Sequence, residues 1–130
     1  MSRDEQFTER DYLEHIREAL KRIQRFTKGI SKNDFLKNEE KQDAVIRNFE
    51  VIGEAAGNIQ RNFPNFLKEY PDLPIKVAYG MRNALAHGYF KIDLDTVWDS
   101  VENDLPKLEK ELDWVMQNLD VRSTFRPSTG

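Results

Sequence analysis

Apolar residues recur at steps of three and four through most of this chain, and nowhere does the apolar–polar alternation of a half-buried strand replace them. Leu13, Ile16, Leu20, Ile23 and Thr27 keep that period, as do Val45, Phe49, Ile52, Ala56, Ile59 and Phe63. Near the other end the series is Val97, Val101, Leu105, Leu108, Leu112, Val115 and Leu119. Each series draws one stripe down a helix, and such stripes are buried only against one another. The pattern specifies an all-α fold, an antiparallel bundle of four to five helices with modest connections.

The punctuation agrees. Thr8 followed by Asp11 resembles a capping box that opens the first helix, and Gly29 offers a left-handed stop. Ser31 and Asp34 predict a short helical turn. Pro64 ends the long second helix. The stretch 64–74 carries three prolines and has room for one turn of structure. Pro74 suits the first position of a helix over IKVAYGMRNALAH, which Gly88 is placed to terminate. KIDLD reads as a connection, and Pro106 predicts a kink or break in the last helix. Residues 1–121 read as one domain and 122–130 as a loose tail without period.

At 130 residues the chain is long enough for a single real core. No apolar run approaches the ~20 residues that cross a bilayer. The charged opening MSRDEQFTERDYLEH lacks the apolar block of a secretory signal. The absence of cysteine excludes disulfides and thiolate metal sites. A cytoplasmic protein is therefore expected. A net charge of −3 argues against a wide nucleic-acid footprint. The charge is uneven, however: Arg10, Arg17, Lys21, Arg22, Arg25, Lys28 and Lys32 lie early, whereas residues 93–113 are rich in Asp and Glu. The favoured reading is a pair of solvated helix faces, in preference to a dedicated binding stripe.

Small residues stand one turn apart at Gly53 and Gly57, and again at Gly80, Ala84 and Gly88. A glycine inside a helix costs about 1 kcal/mol relative to alanine, so these rows ask for close backbone approach. The helix with Gly53 is expected to pack near the helix with Gly80. Glu54 and Asn58 share one helix face, as do Asn83 and His87. Glu54 is either a solvated carboxylate or a polar residue that borders a cleft and helps to hold the Arg or His of the later helix.

Arg82 and His87 carry the chemistry. Five helical residues separate two side chains by about 140° and ~7.5 Å, so the two do not share a stripe. For both to reach one phosphate, either the helix ends near Ala86 or a second copy of it completes the site. A histidine titrating near ~6.5 takes a proton from a ribose 2′-hydroxyl, and a guanidinium stabilises charge on the phosphate. DNA, without the 2′-hydroxyl, is excluded as substrate by this route. No metal-ligand set is evident, and the other histidine, His15, is distant in sequence. Spacing alone does not separate this reading from an ordinary helix end, where cations suit the dipole.

RDYLEHIREAL, QDAVIRNFEVIGEAA and GMRNALAHGYFKIDLDTVWDSVENDLPKL resemble the HepT-like family of HEPN-domain toxins, in the same order and from about Arg10 to Leu119. The family signature, Arg, four residues, His, one residue, Tyr, is matched by Arg82, His87 and Tyr89. The resemblance implies an all-helical homodimer whose two motifs face a shared cleft. It implies a metal-independent ribonuclease without cofactor, the toxin of a toxin–antitoxin pair, with tRNA among the substrates of some members. The implied partner is a minimal nucleotidyltransferase antitoxin that transfers AMP to Tyr89, placing a bulky anion beside Arg82 and His87. Asn83 is carried over as a supporting residue beside Glu54. The alternative is a non-catalytic helical dimer that binds the nucleotidyltransferase. Arg47, Arg61, Lys76, Arg82 and Lys91 are candidates for the positive charge RNA requires, Phe90 for the core, and Trp98 and Trp114 for packing or interface.

Overall fold

In the computed structural model, residues 7–86 and 92–124 are described, the side chains of 83–86, 123 and 124 excepted. The first helix, α1 (Glu9–Thr27), opens on the expected box. The Thr8 hydroxyl accepts from the Asp11 N–H at 3.1 Å, and the Asp11 carboxylate accepts from the Thr8 N–H at 2.8 Å. Those N–H groups have no partner within the helix, so both bonds satisfy donors that would otherwise need water. Gly29 follows the helix with φ +76°, the left-handed turn in which glycine is unstrained. Ser31 and Asp34 repeat the reciprocal bonds at α2 (Lys32–Leu36).

The centre of the molecule is α3 (Glu39–Asn62), which packs against both α1 and α5 (Ile75–Ala86). Its Val45, Phe49, Ile52, Ala56 and Ile59 are all buried, facing Leu13, Ile16, Leu20 and Ile23 of the same core. Between these helices the proline-rich stretch folds its one turn as α4 (Pro64–Glu69), with Pro64 at a first-turn position where the missing N–H costs nothing. Pro74 stands immediately before α5 instead of inside it, its carbonyl accepting from the Ala78 N–H at 3.1 Å. His87 and Gly88, the expected end of this helix, lie outside the described residues, as do Tyr89, Phe90 and Lys91.

The last part of the chain runs as α6 (Leu94–Asp99), a π turn (Ser100–Asp104) and α7 (Leu105–Thr124). KIDLD does not end in a plain connection, because Asp93 caps α6 by accepting from the N–H groups of Asp95 and Thr96. At Pro106 the regular α-helical ladder is interrupted by the π turn. The Leu105 N–H reaches back five residues to the Ser100 carbonyl, and the widened turn lies immediately before the proline, over the carbonyl its ring would otherwise crowd. The spacing explains why the wider turn is tolerated. Two successive steps of four, Val97 to Val101 to Leu105, overrun two turns of a 3.6-residue helix by about 80°. The π turn absorbs that excess, and Val97 and Leu105 are both buried. Helix α7 continues to Thr124, past the domain boundary expected after residue 121. Trp98 is buried against Phe35, whereas Trp114 is exposed with its edge on Tyr70.

The four long helices of the bundle, α1, α3, α5 and α7, leave the described residues without a strand. The early basic residues face the late acidic ones. Arg10 pairs with Asp120, Arg17 with Asp113 at 3.9 Å, and Lys32 with Asp95 at 2.9 Å, while Gln24 donates to Glu109 at 2.9 Å. The basic stripe is thus a solvated face answered by its neighbour. No described helix is long and apolar enough to cross a membrane.

Candidate functional site

The crossing of α3 and α5 places Arg82. A Cβ built on Gly53 would stand 2.1 Å from the Arg82 Cβ and 2.9 Å from its backbone nitrogen, so only glycine admits this approach. One turn further, Gly57 lies under the Tyr79 ring, where an added Cβ would meet the ring at 3.0 Å. The expected close packing of these two helices is present, but Gly80 takes no part in it: nothing lies within 4 Å of a Cβ placed there. The close approach is asymmetric, with α3 supplying the small residues and α5 the large ones.

Glu54, adjacent to Gly53, holds Arg82 across the crossing, its Oε1 lying 3.6 Å from the Arg82 Nε. Both side chains are about half exposed or more, at 49% and 61%. An ion pair this open to water adds little stability. What it does is orient the guanidinium, leaving the Nη edge for an incoming oxyanion. Asn58, on the same face, donates its amide to the Glu54 carbonyl at 2.9 Å, and its Oδ1 accepts from Arg61 at 3.2 Å. Glu54 is thus a solvent-exposed carboxylate that also borders the groove beside Arg82.

Arg82, Glu54 and Asn58 border an open groove of about 640 Å³ that also takes in Arg47 and His15. His15, set aside in the sequence as remote, arrives because α1 packs on α3. Its ring makes edge contacts with Phe7 at 5.4 Å and Tyr12 at 6.0 Å between centroids. A signal for it did exist: Tyr12 and His15, three apart, fall off the buried stripe of Leu13, Ile16 and Leu20, so two rings share an outward face. Among the remaining basic candidates, Arg61 reaches the groove only through Asn58, and Lys76 borders a separate hollow beside Pro74. Asn83 continues α5 beyond Arg82 as backbone, while His87 and Tyr89 fall outside the described residues. Among the described residues no three His, Asp or Glu side chains gather to hold a metal ion.

The sequence that builds this crossing matches a known protein family. The family described as ribonuclease HepT-like matches residues 16–115. This chain belongs to the HepT-like family. It is 41% identical over 100 residues to a protein named "Probable ribonuclease HepT" from Thermococcus cleftensis, a match covering 77% of this chain and 88% of that one. It is 38% identical over 111 residues to one named "Putative RNase" from Methanocaldococcus jannaschii, covering 85% of this chain and 89% of the relative. A third relative, from the same organism, is named "Gamma-glutamylcyclotransferase and putative RNase"; the match is 39% identical over 84% of this chain but takes in only 48% of that longer protein. No solved structure matches. The HepT-like family assignment makes RNA the substrate class against which the groove is to be read.

Proposed function

We propose that this chain is the toxin of a toxin–antitoxin pair, a metal-independent endoribonuclease in which Arg82 and His87 act on one ribose–phosphate link. The observation that carries the reading is the seat of Arg82. A helix crossing that accepts only Gly53, and a carboxylate on the next residue, fix a guanidinium at the rim of an open groove.

In this mechanism His87 removes the proton of a ribose 2′-hydroxyl, and the 2′-oxygen attacks the adjacent phosphorus. The bond from phosphorus to the 5′-oxygen breaks, leaving a 2′,3′-cyclic phosphate and, after protonation, a 5′-hydroxyl. Arg82 neutralises the charge that gathers on the non-bridging oxygens, with Glu54 and Asn83 in support. A homodimer that brings two such motifs together supplies the convergence that five residues of helix do not. The cognate nucleotidyltransferase transfers AMP from ATP to the Tyr89 hydroxyl, releasing pyrophosphate, and the added phosphate then competes with substrate for Arg82.

The test is purified protein, expressed without any partner, incubated with tRNA in EDTA. Cleavage that persists and leaves 2′,3′-cyclic ends supports the mechanism; activity abolished by chelation rejects it. An intact mass raised by one AMP on co-expression with the nucleotidyltransferase, and absent in Tyr89→Phe, supports the regulation. A toxic effect undiminished in His87→Ala would favour the non-catalytic module.

A further inference from the structure

We infer that the aromatic part of the groove lining is a nucleobase subsite, in which the His15 ring stacks one unpaired base of the RNA, with Phe7 and Tyr12 set edge-on to it at 79° and 90°, while Arg47 and Arg82 hold flanking phosphates. The inference rests on the ribonuclease reading for its substrate class. Its own evidence is the composition of this lining.

Three rings from the start of α1 form one cluster, each in edge contact with the other two at centroid separations of 5.4 to 6.0 Å. Part of that cluster has a purely structural cause. Phe7 precedes the cap and Tyr12 is at the fourth helical position, the pairing that fixes how a chain enters a helix. Tyr12 is further anchored by a contact with Phe63 at 6.3 Å. Helix entry does not account for His15, which is exposed, nor for Phe7 remaining 47% exposed on a surface with few other large apolar side chains. Both rings face the same groove as Arg47 and Arg82.

An aromatic shelf flanked by guanidinium groups is the arrangement that binds single-stranded nucleic acid, since every base has a face to stack and every nucleotide a phosphate to pair. At about 640 Å³ the groove is of the size that encloses a small ligand, and it is open enough for a strand to enter and leave. Glu50 and Glu54 also border it. Glu54 is engaged by Arg82, so the net field at the rim is not anionic there. Glu50, exposed on the groove border, offers an acceptor for base N–H groups and repels a phosphate placed beside it. Base on the His15 ring and phosphates at the two arginines is the orientation this charge distribution allows. A base within a duplex cannot lie on the shelf without leaving its stack, so the subsite selects unpaired RNA.

The test uses the full chain with His87→Ala, to prevent turnover, and a fluorescein-labelled single-stranded RNA octamer read by anisotropy. Companion probes are the same strand in duplex and octamers carrying one abasic position at each site in turn. The single strand should bind at least about tenfold tighter than the duplex. Adding His15→Ala should weaken binding roughly 5- to 100-fold, the range for loss of one stacked base, and His15→Phe should restore it. At one abasic position His15→Ala should cause no further loss. Additive losses at every position, a His15→Phe as weak as His15→Ala, or no binding of the single strand would overturn the subsite. Cleavage measured beside it with His87 intact separates the two claims. RNA cut equally well with and without His15→Ala removes the subsite alone; base-dependent binding without any cleavage removes the nuclease reading alone.

Discussion

In the proposed reaction Arg82 stabilises the charge on the phosphate, and Gly53 and Glu54 are the neighbours that seat it. Replacing it by alanine should lower RNA cleavage about 100- to 1,000-fold, the usual loss when one fixed stabiliser of transition-state charge is removed. Glu54→Gln breaks only an exposed pair, so single-turnover cleavage should fall by less than about fivefold, with thermal stability unchanged. The glycines give a sharper contrast. Gly53→Ala forces a methyl group into the Arg82 backbone, an overpacking expected to cost about 1–3 kcal/mol and to lower Tm by roughly 5–15 °C. Gly80→Ala meets open space on a helix and should raise Tm by a few degrees, since alanine is better by about 1 kcal/mol. Scanning calorimetry of the two variants decides whether the close approach is one-sided.

At the level of elements, the caps are where pH acts. Hydrogen bonds from Thr8 hold the Asp11 carboxyl below its ordinary 3.8, and those from Thr96 do the same for Asp93. A carboxyl depressed in the folded state lends stability that is complete above its unfolded value and is lost as pH falls through the folded one. Tm should therefore be flat across neutral pH and decline below about pH 4, and Asp11→Asn with Asp93→Asn should flatten that decline. Elements are also where the sequence was most legible. Thr8, Ser31 and Gly29 act at the ends where short-range chemistry placed them, and the apolar series were buried as their period required. The irregularity expected at Pro106 takes the form of a π turn, which also fits the two successive steps of four from Val97. His15 was legible only in part: period sets it beside Tyr12 on the outward face of α1, but the α3 and α5 residues that share its groove could not be foreseen, because period locates a residue on its own helix without saying which helix it will meet. Of the candidate site, the rows of small residues announced the crossing that brings Glu54 near Arg82, but the sequence left Glu54 open between a solvated carboxylate and a partner of the later helix's Arg or His.

For the molecule as a whole, charge is distributed by facing surfaces. Arg10 and Arg17 of α1 pair with Asp120 and Asp113, and Lys32 of α2 with Asp95, while Arg47 and Arg82 are the lysine or arginine side chains that border the groove among the described residues. Binding of single-stranded RNA should show a shallow salt dependence, a slope near −1.5 to −2 in log K against log salt for two or three phosphates. Lys21→Glu with Arg25→Glu should leave that binding unchanged, whereas Arg47→Ala should weaken it; titrations at several salt concentrations check both. The same pairing ties distant parts of the chain together. Phe7, Tyr12 and His15 ride on a helix whose outer flank is clasped by the final one, which itself borders no part of the groove. Shortening or tagging the carboxyl end would thus tug on the shelf from behind, and an assay of RNA grip would feel an edit made on the far side of the protein.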